Sequence, residues 1–178
     1  MKKIIKKIKW LFFRIRFQLR AAEYMRVVYT DPRRVVLITS RLGEKDNIMP
    51  IDWHIPLSLF PKLYAISLET KNFTCSMILK SRCFAVNFMP GSFEKEIVAC
   101  GNISGKENDK FKLTDLKKSE AKTINAPYLA DAFGHIECEV TEVYPAGDHT
   151  LFVAKVLYEK LDDTSEKTQL YHITRLKG

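Results

Sequence analysis

Three stretches of this 178-residue chain combine groups suited to holding an anionic, hydrogen-bonding ligand. The first is Asn47-Ile48-Met49-Pro50-Ile51-Asp52-Trp53, which follows Thr39 and Ser40 at the end of a strand-like run. It places backbone donors, an amide side chain and an aromatic ring close together. The second is Thr70-Lys71-Asn72-Phe73-Thr74. Asn72 is an N-cap type, so a helix starting after it would leave its first-turn N–H groups free, with the Thr74 hydroxyl and the Lys71 charge beside them. That combination suits a phosphate. The third is Ser104-Gly105-Lys106-Glu107-Asn108-Asp109-Lys110-Phe111, where Gly105 permits a tight turn and Lys110 could reach an anion. Taken singly, each has a plainer reading: a turn with a core tryptophan, an ordinary helix cap, and a solvated surface loop.

Other chemistries have little support. The chain contains no P-loop, no GxGxxG and no GxSxG pattern. The pair Asp162-Asp163 lies in polar, turn-like sequence and reads as solvated. Cys75, Cys83, Cys100 and Cys138 form no CxxC pair, and His54, His135, His149 and His172 are scattered, so no metal site is expected. The cysteines read as reduced, mostly buried thiols of a cytoplasmic protein.

The elements that would position these stretches are mostly strands. Residues 35–39, 63–68, 83–88, 134–144, 151–158 and 169–173 are β-branched, aromatic or alternating runs bounded by turn residues. Helices are expected over 73–80, after Asn72, and from after Ser92 to Cys100, where Glu94 and Glu96 favour the positive helix end. A weaker helical piece is expected over 128–133, and a polar loop over 161–168. Short strands with small inserted helices suggest a closed antiparallel barrel with peripheral helices. A doubly wound parallel sheet would need long alternating helices, which are absent.

The net charge of +8 is local. Residues 1–20 carry eight Lys/Arg and no acid, leaving 21 basic and 21 acidic residues in the rest. A broad basic face for nucleic acid is therefore unsupported. Residues 3–22 read as an amphipathic helix: Ile4, Ile5, Ile8, Leu11, Phe12, Ile15, Leu19 and Ala22 form one stripe, and Trp10, Phe13 and Phe17 gather among the charges on the other side. This helix could pack on the body, or meet a membrane surface or partner. The expected division is a basic helix over 1–26 and a body over 27–178. No run approaches the ~20 apolar residues of a membrane span.

Together and in order, the segments resemble the flavin reductase-like family of FMN-binding split barrels, which includes flavoredoxins and the reductase components of two-component monooxygenases. The resemblance runs from Pro32 to Tyr158. It is carried by Val36-Leu37-Ile38-Thr39, Asn47-Ile48-Met49 with Trp53, Ala65-Ile66-Ser67-Leu68, Phe73-Thr74, Phe84-Ala85-Val86-Asn87, the SGxxxDKF stretch ending Asp109-Lys110-Phe111, and Gly147-Asp148-His149. It implies a mainly β split barrel with short peripheral helices, forming a homodimer that holds FMN near the subunit interface. The loop containing Asn47, Ile48, Met49, Asp52 and Trp53 would embrace the flavin ring. Thr39, Ser40, Asn72, Phe73 and Thr74 would serve the phosphate and ribityl chain, with Asp109 and Lys110 nearby. Gly147, Asp148 and His149 would lie where NADH or NADPH approaches, with His149 in the catalytic position.

Two residues depart from the family pattern. Asp52 replaces a small residue or serine, and its carboxylate would repel a flavin phosphate unless turned away. Asn72 stands where an arginine is frequent. The activity implied is NAD(P)H-dependent flavin reduction, with a monooxygenase or other redox partner. The alternatives are a flavoredoxin-like electron carrier without nicotinamide use, and a non-catalytic binding protein.

Overall fold

The computed structural model describes residues 33–162 and the backbone of Tyr171–His172. The expected helix over 3–22, the boundary at 26, and most of the 161–168 loop and the last strand lie outside these residues.

In chain order the strands are β1 (Arg33–Arg34), β2 (Val36–Leu42), β3 (Lys45–Ile51), β4 (His54–Leu59) and β5 (Lys62–Glu69). Helix α1 (Phe73–Ser81), β6 (Cys83–Phe88), a 3-10 turn over Gly91–Phe93, α2 (Glu94–Asn102) and α3 (Lys110–Thr114) follow. The rest is β7 (Lys118–Glu120), β8 (Pro127–Leu129), the long hairpin β9 (Gly134–Ala146) and β10 (His149–Leu161), and β11 (Tyr171–His172). Seven strands form one antiparallel sheet in the order β3-β2-β6-β9-β10-β5-β4. Two-stranded ladders join β1 to β11 and β7 to β8.

That order dictates curvature. The two outermost strands, β3 and β4, are consecutive in the chain and separated only by Asp52 and Trp53. In a flat sheet they would lie about 29 Å apart, at ~4.8 Å per strand. The link from Ile51 to His54 can span no more than about 11 Å. The sheet must therefore roll up until its edges meet. No ladder joins β3 to β4, so the result is a split barrel. Each seam strand carries a proline, Pro50 and Pro56, a residue that sheets tolerate at edges.

The period-two alternation divides the core. Val36, Ile38, Ile66, Leu68, Phe84, Val86, Cys138, Phe152 and Ala154 fill the barrel interior, and Cys75 and Ile78 of α1 pack onto them. On the outside, Leu37 and Ile48 meet Ile97 and Cys100 of α2, Phe111 of α3, and Leu129. Strand β2 is thus buried on both faces from Val36 to Ser40.

Most expected strands and both main helices are present, with corrections. Residues 47–51, expected in a loop, lie in strand β3. Asp109 and Lys110 lie not in a loop but at the start of α3: Asp109 caps it by accepting from the N–H groups of Phe111 and Lys112 at 3.1 and 3.3 Å. The weak helix over 128–133 is replaced by β8, whose Tyr128 pairs with Ser119. Helix α2 starts at Glu94 after the 3-10 turn, without a side-chain cap.

Glu137 on β9 is fully buried and fixes the β7–β8 link. It accepts from Lys122 N (2.9 Å), Thr123 N (2.7 Å) and Thr123 Oγ1 (2.6 Å). Burial alone would raise its pKa, but these donors, with His135 nearby, hold it below the usual value. Its ionised form therefore stabilises the fold above the unfolded-state pKa of about 4.3, and that contribution is lost as pH falls through the lower folded value. Glu137→Ala is expected to lower stability by about 3 kcal/mol at neutral pH, through two stranded N–H groups. Urea denaturation checks this, and the difference from the parent should shrink in acid.

Candidate functional site

The seam places the first group. Trp53 O accepts from Ser67 N of β5 at 2.9 Å, which locks the link against the sheet. On the far side of β5 runs β10, whose first residue, His149, pairs with Glu69. The Trp53 and His149 rings stack, with centroids 4.6 Å apart and 25° between planes. His149 Nδ1 lies 2.6 Å from Asp148 Oδ1. The contact to His149 holds the exposed Asp148 carboxyl below its ordinary value. Gly147, at φ +65°, makes the left-handed turn that aims the triplet.

From there the site continues through the backbone. Thr70 N donates to Asp148 O at 3.0 Å, and the hydroxyls of Thr70 and Thr150 lie 3.1 Å apart. Two residues later Asn72 caps α1 in extended conformation, without using its side chain. The first turn of α1 carries no acidic residue, so its N–H groups and dipole face no competing carboxylate there.

Thr74 then meets β3: Asn47 Nδ2 donates to Thr74 Oγ1 at 2.7 Å. Both residues are buried. Among the described residues, Asn47 Oδ1 has no donor. Asn47 lines a cleft of about 300 Å³ together with Met49, Asn72, Phe73, Gly101, Ser104 and Gly105 among others. A Cβ on Gly105 would overlap Asn47 Oδ1, so only glycine admits this approach. Lys110 also lines the cleft. Its ammonium is buried, and it donates to Ile48 O (2.9 Å) on the free edge of β3 and to Cys100 O (2.7 Å). Burial lowers its pKa.

The structure therefore joins most of the sequence-derived positions into one arc from Trp53 and His149, through Asp148 and Asn72, to Phe73, Thr74, Asn47, Met49 and Lys110. It assigns others to different work. Thr39 donates to Pro127 O (2.6 Å) and accepts from Asn87 Nδ2 (3.0 Å), a clamp that fixes β8. The Ser40 hydroxyl is buried against Met77 Sδ. Ile48 points into the outer core, so only its backbone faces the edge. Asp52 pairs with Arg33 at 3.3 Å, which turns its charge toward a cation. Lys110 commits two of its three N–H groups to carbonyls and is a strut of the cleft wall. Arg33 and the close approach of Gly105 escaped the sequence reading. Nothing local to Arg33 marks its partner, and Gly105 looked like any turn glycine.

Among the described residues no cluster of His, Cys, Asp or Glu could hold a metal, and no helix is long and apolar enough to cross a membrane. The family model described as flavin reductase like domain matches residues 28–177. An uncharacterized protein of Archaeoglobus fulgidus is 32% identical over 130 residues, 73% of each chain. The crystal structure of an FMN-binding protein from Thermus thermophilus superposes with a TM-score of 0.71 at 30% identity, covering 76% of this chain and 74% of that one. An NADH:FAD oxidoreductase from Streptomyces globisporus gives 0.71 at 25%, covering 82% of each. This chain belongs to the flavin reductase-like family, and its barrel is that family's split barrel.

Gly105→Ala is expected to push the Asn47 amide out of place and weaken flavin binding at least tenfold while the protein still folds. Flavin titration beside a thermal melt measures both.

Proposed function

We propose that the chain binds FMN along the arc from Trp53 to Lys110 and is an NAD(P)H-dependent flavin reductase. The observation that carries this reading is the cleft beside Gly105, where Asn72, Phe73 and Thr74 at the start of α1, Asn47 and Met49 of β3, and Lys110 converge. The open first turn of α1 and the third N–H of Lys110 supply donors for a phosphate at the same end. The free edge of β3 supplies backbone groups for the ring.

FMN supplies the hydride-accepting chemistry at its N5 when bound. The residues of this chain bind and orient. Asp148 holds the His149 ring against Trp53, next to the seam, where a nicotinamide would approach. Hydride transfer needs no acid or base from the protein, so the Asp148–His149 pair serves to position the ring. NADH is the reductant named for the Streptomyces relative, and a monooxygenase or other redox protein is the consumer expected for the reduced flavin. The flavoredoxin-like alternative differs in one measurable respect. On anaerobic mixing of FMN-loaded protein with NADH or NADPH, the reductase reading expects rapid loss of flavin absorbance, and a stable yellow colour overturns it. His149→Ala should slow bleaching tenfold or more without loss of FMN, and an unchanged rate removes His149 from that role.

We further propose a homodimer. Ile55 of β4 and Val153 of β10 flank Ala65 of β5 on the outer barrel face, with Leu151 beside them, and Ile55 is 56% exposed. Sedimentation should give twice the 20.6 kDa chain mass, and Ile55→Glu should halve it. For the basic segment over 1–26 three contacts stay open, the body of the protein, a membrane surface or a partner, and the cytoplasm is the proposed compartment.

A further inference from the structure

The barrel has a second opening, at the end away from α1. There the interior widens into a cavity of about 730 Å³, more than twice the flavin cleft. That volume falls within the ~300–1,000 Å³ of small-molecule sites. Tyr64, Phe88, Phe133, Ile136 and Val156 form its walls, so the depth is almost wholly apolar. Leu63 and Tyr64 mark this end of β5. Glu69 and Thr70, which lead to the flavin arc, lie roughly 20 Å further along at ~3.3 Å per residue. The cavity and the Asn47 cleft share no lining residue. The arc approaches the mouth at its Asp52–Trp53 link, where Asp52 pairs with Arg33 and the next residue, His54, lies 2.9 Å from Arg34 O.

The charges at the mouth are unequal. Lys62 is paired with Glu159 at 2.5 Å, and Lys160 with Asp162 at 3.3 Å. Arg34 differs: its guanidinium lies over the Phe88 ring, 6.0 Å from the centroid, and among the described residues no carboxylate pairs with it. Leu59 and Leu161 stand at the rim, 75% and 71% exposed. An apolar hollow with exposed apolar lips and one uncompensated cation is complementary to a molecule with a greasy body and a single negative head. The polar pair at its wall offers nothing further: Tyr64 OH is already 2.6 Å from His54 Nδ1, and His54 Nε2 is 2.9 Å from Arg34 O.

We propose that this mouth binds an amphipathic organic anion, an aromatic or short acyl body bearing one carboxylate, with the body inside the barrel and the carboxylate on Arg34. The cavity shares no lining residue with the cleft at Asn47, and the proposal does not depend on the flavin reading.

The test is calorimetric titration of the full-length chain, with and without saturating FMN, using 2-naphthoate and its uncharged analogue 2-naphthamide. One naphthoate should bind per chain, about tenfold tighter than the amide, a ratio matching one charge-assisted hydrogen bond. FMN should leave that binding unchanged. Arg34→Gln, at an exposed side chain, should abolish the preference for the anion while keeping amide binding. Val156→Trp should fill the cavity and remove both. Absence of binding to the intact chain, competition by FMN, or an Arg34→Gln variant that keeps the tenfold preference overturns the proposal. Because Arg34→Gln does not disturb the core, its result stands even if the tryptophan variant fails to fold.

Discussion

The two-residue link of Asp52 and Trp53 constrains everything else in this molecule. It ties together the two strands that hydrogen bonding places furthest apart, so the sheet has no flat solution. Curling creates the interior that Phe84 and Phe152 fill, and it leaves one end for α1 to pack against. It also brings Trp53 beside β5, within stacking distance of a histidine almost a hundred residues later. The same geometry that closes the barrel thus assembles one end of the proposed site, and the ion pair between Asp52 and Arg33 steadies the link.

The other end of the site depends on an unsatisfied edge. Strand β3 pairs with β2 on one side only, so its outer backbone groups need partners. Lys110 meets one of those needs at Ile48 O, from a helix started by the Asp109 cap. The remaining polar groups around Asn47, Thr74 and the first turn of α1 converge on the cleft beside Gly105. An edge that would invite another strand is here walled by helix and loop, leaving a recess of ligand size.

Periodicity revealed the strands that are buried on at least one face. The run of β10 alternates because one side meets the barrel interior, whereas β6 and the first half of β9 are buried on both faces and stand out as continuous runs rich in apolar residues. Strands β3 and β4 were not legible in the same way. As edges with Pro50, Pro56, charged Lys45 and Asp46, and exposed Ile55 and Leu57, they lack the pattern of a half-buried strand. Site residues were legible as an ordered set of segments, but their individual duties were not. The Thr39 hydroxyl is taken by Pro127 and Asn87, contacts 88 and 48 residues away in the chain, and no local signal announces them. The same holds for Arg33 and Asp52.

Pro50 and Pro56 have one consequence at the seam. Both residues belong to strands whose other side is already paired, to Leu37 and to Tyr64 respectively, so the missing N–H of each falls on the unpaired side. The two lips therefore lack donors where a ladder would have to start. The slit stays a slit, and the ladders of the other five strands are complete without it.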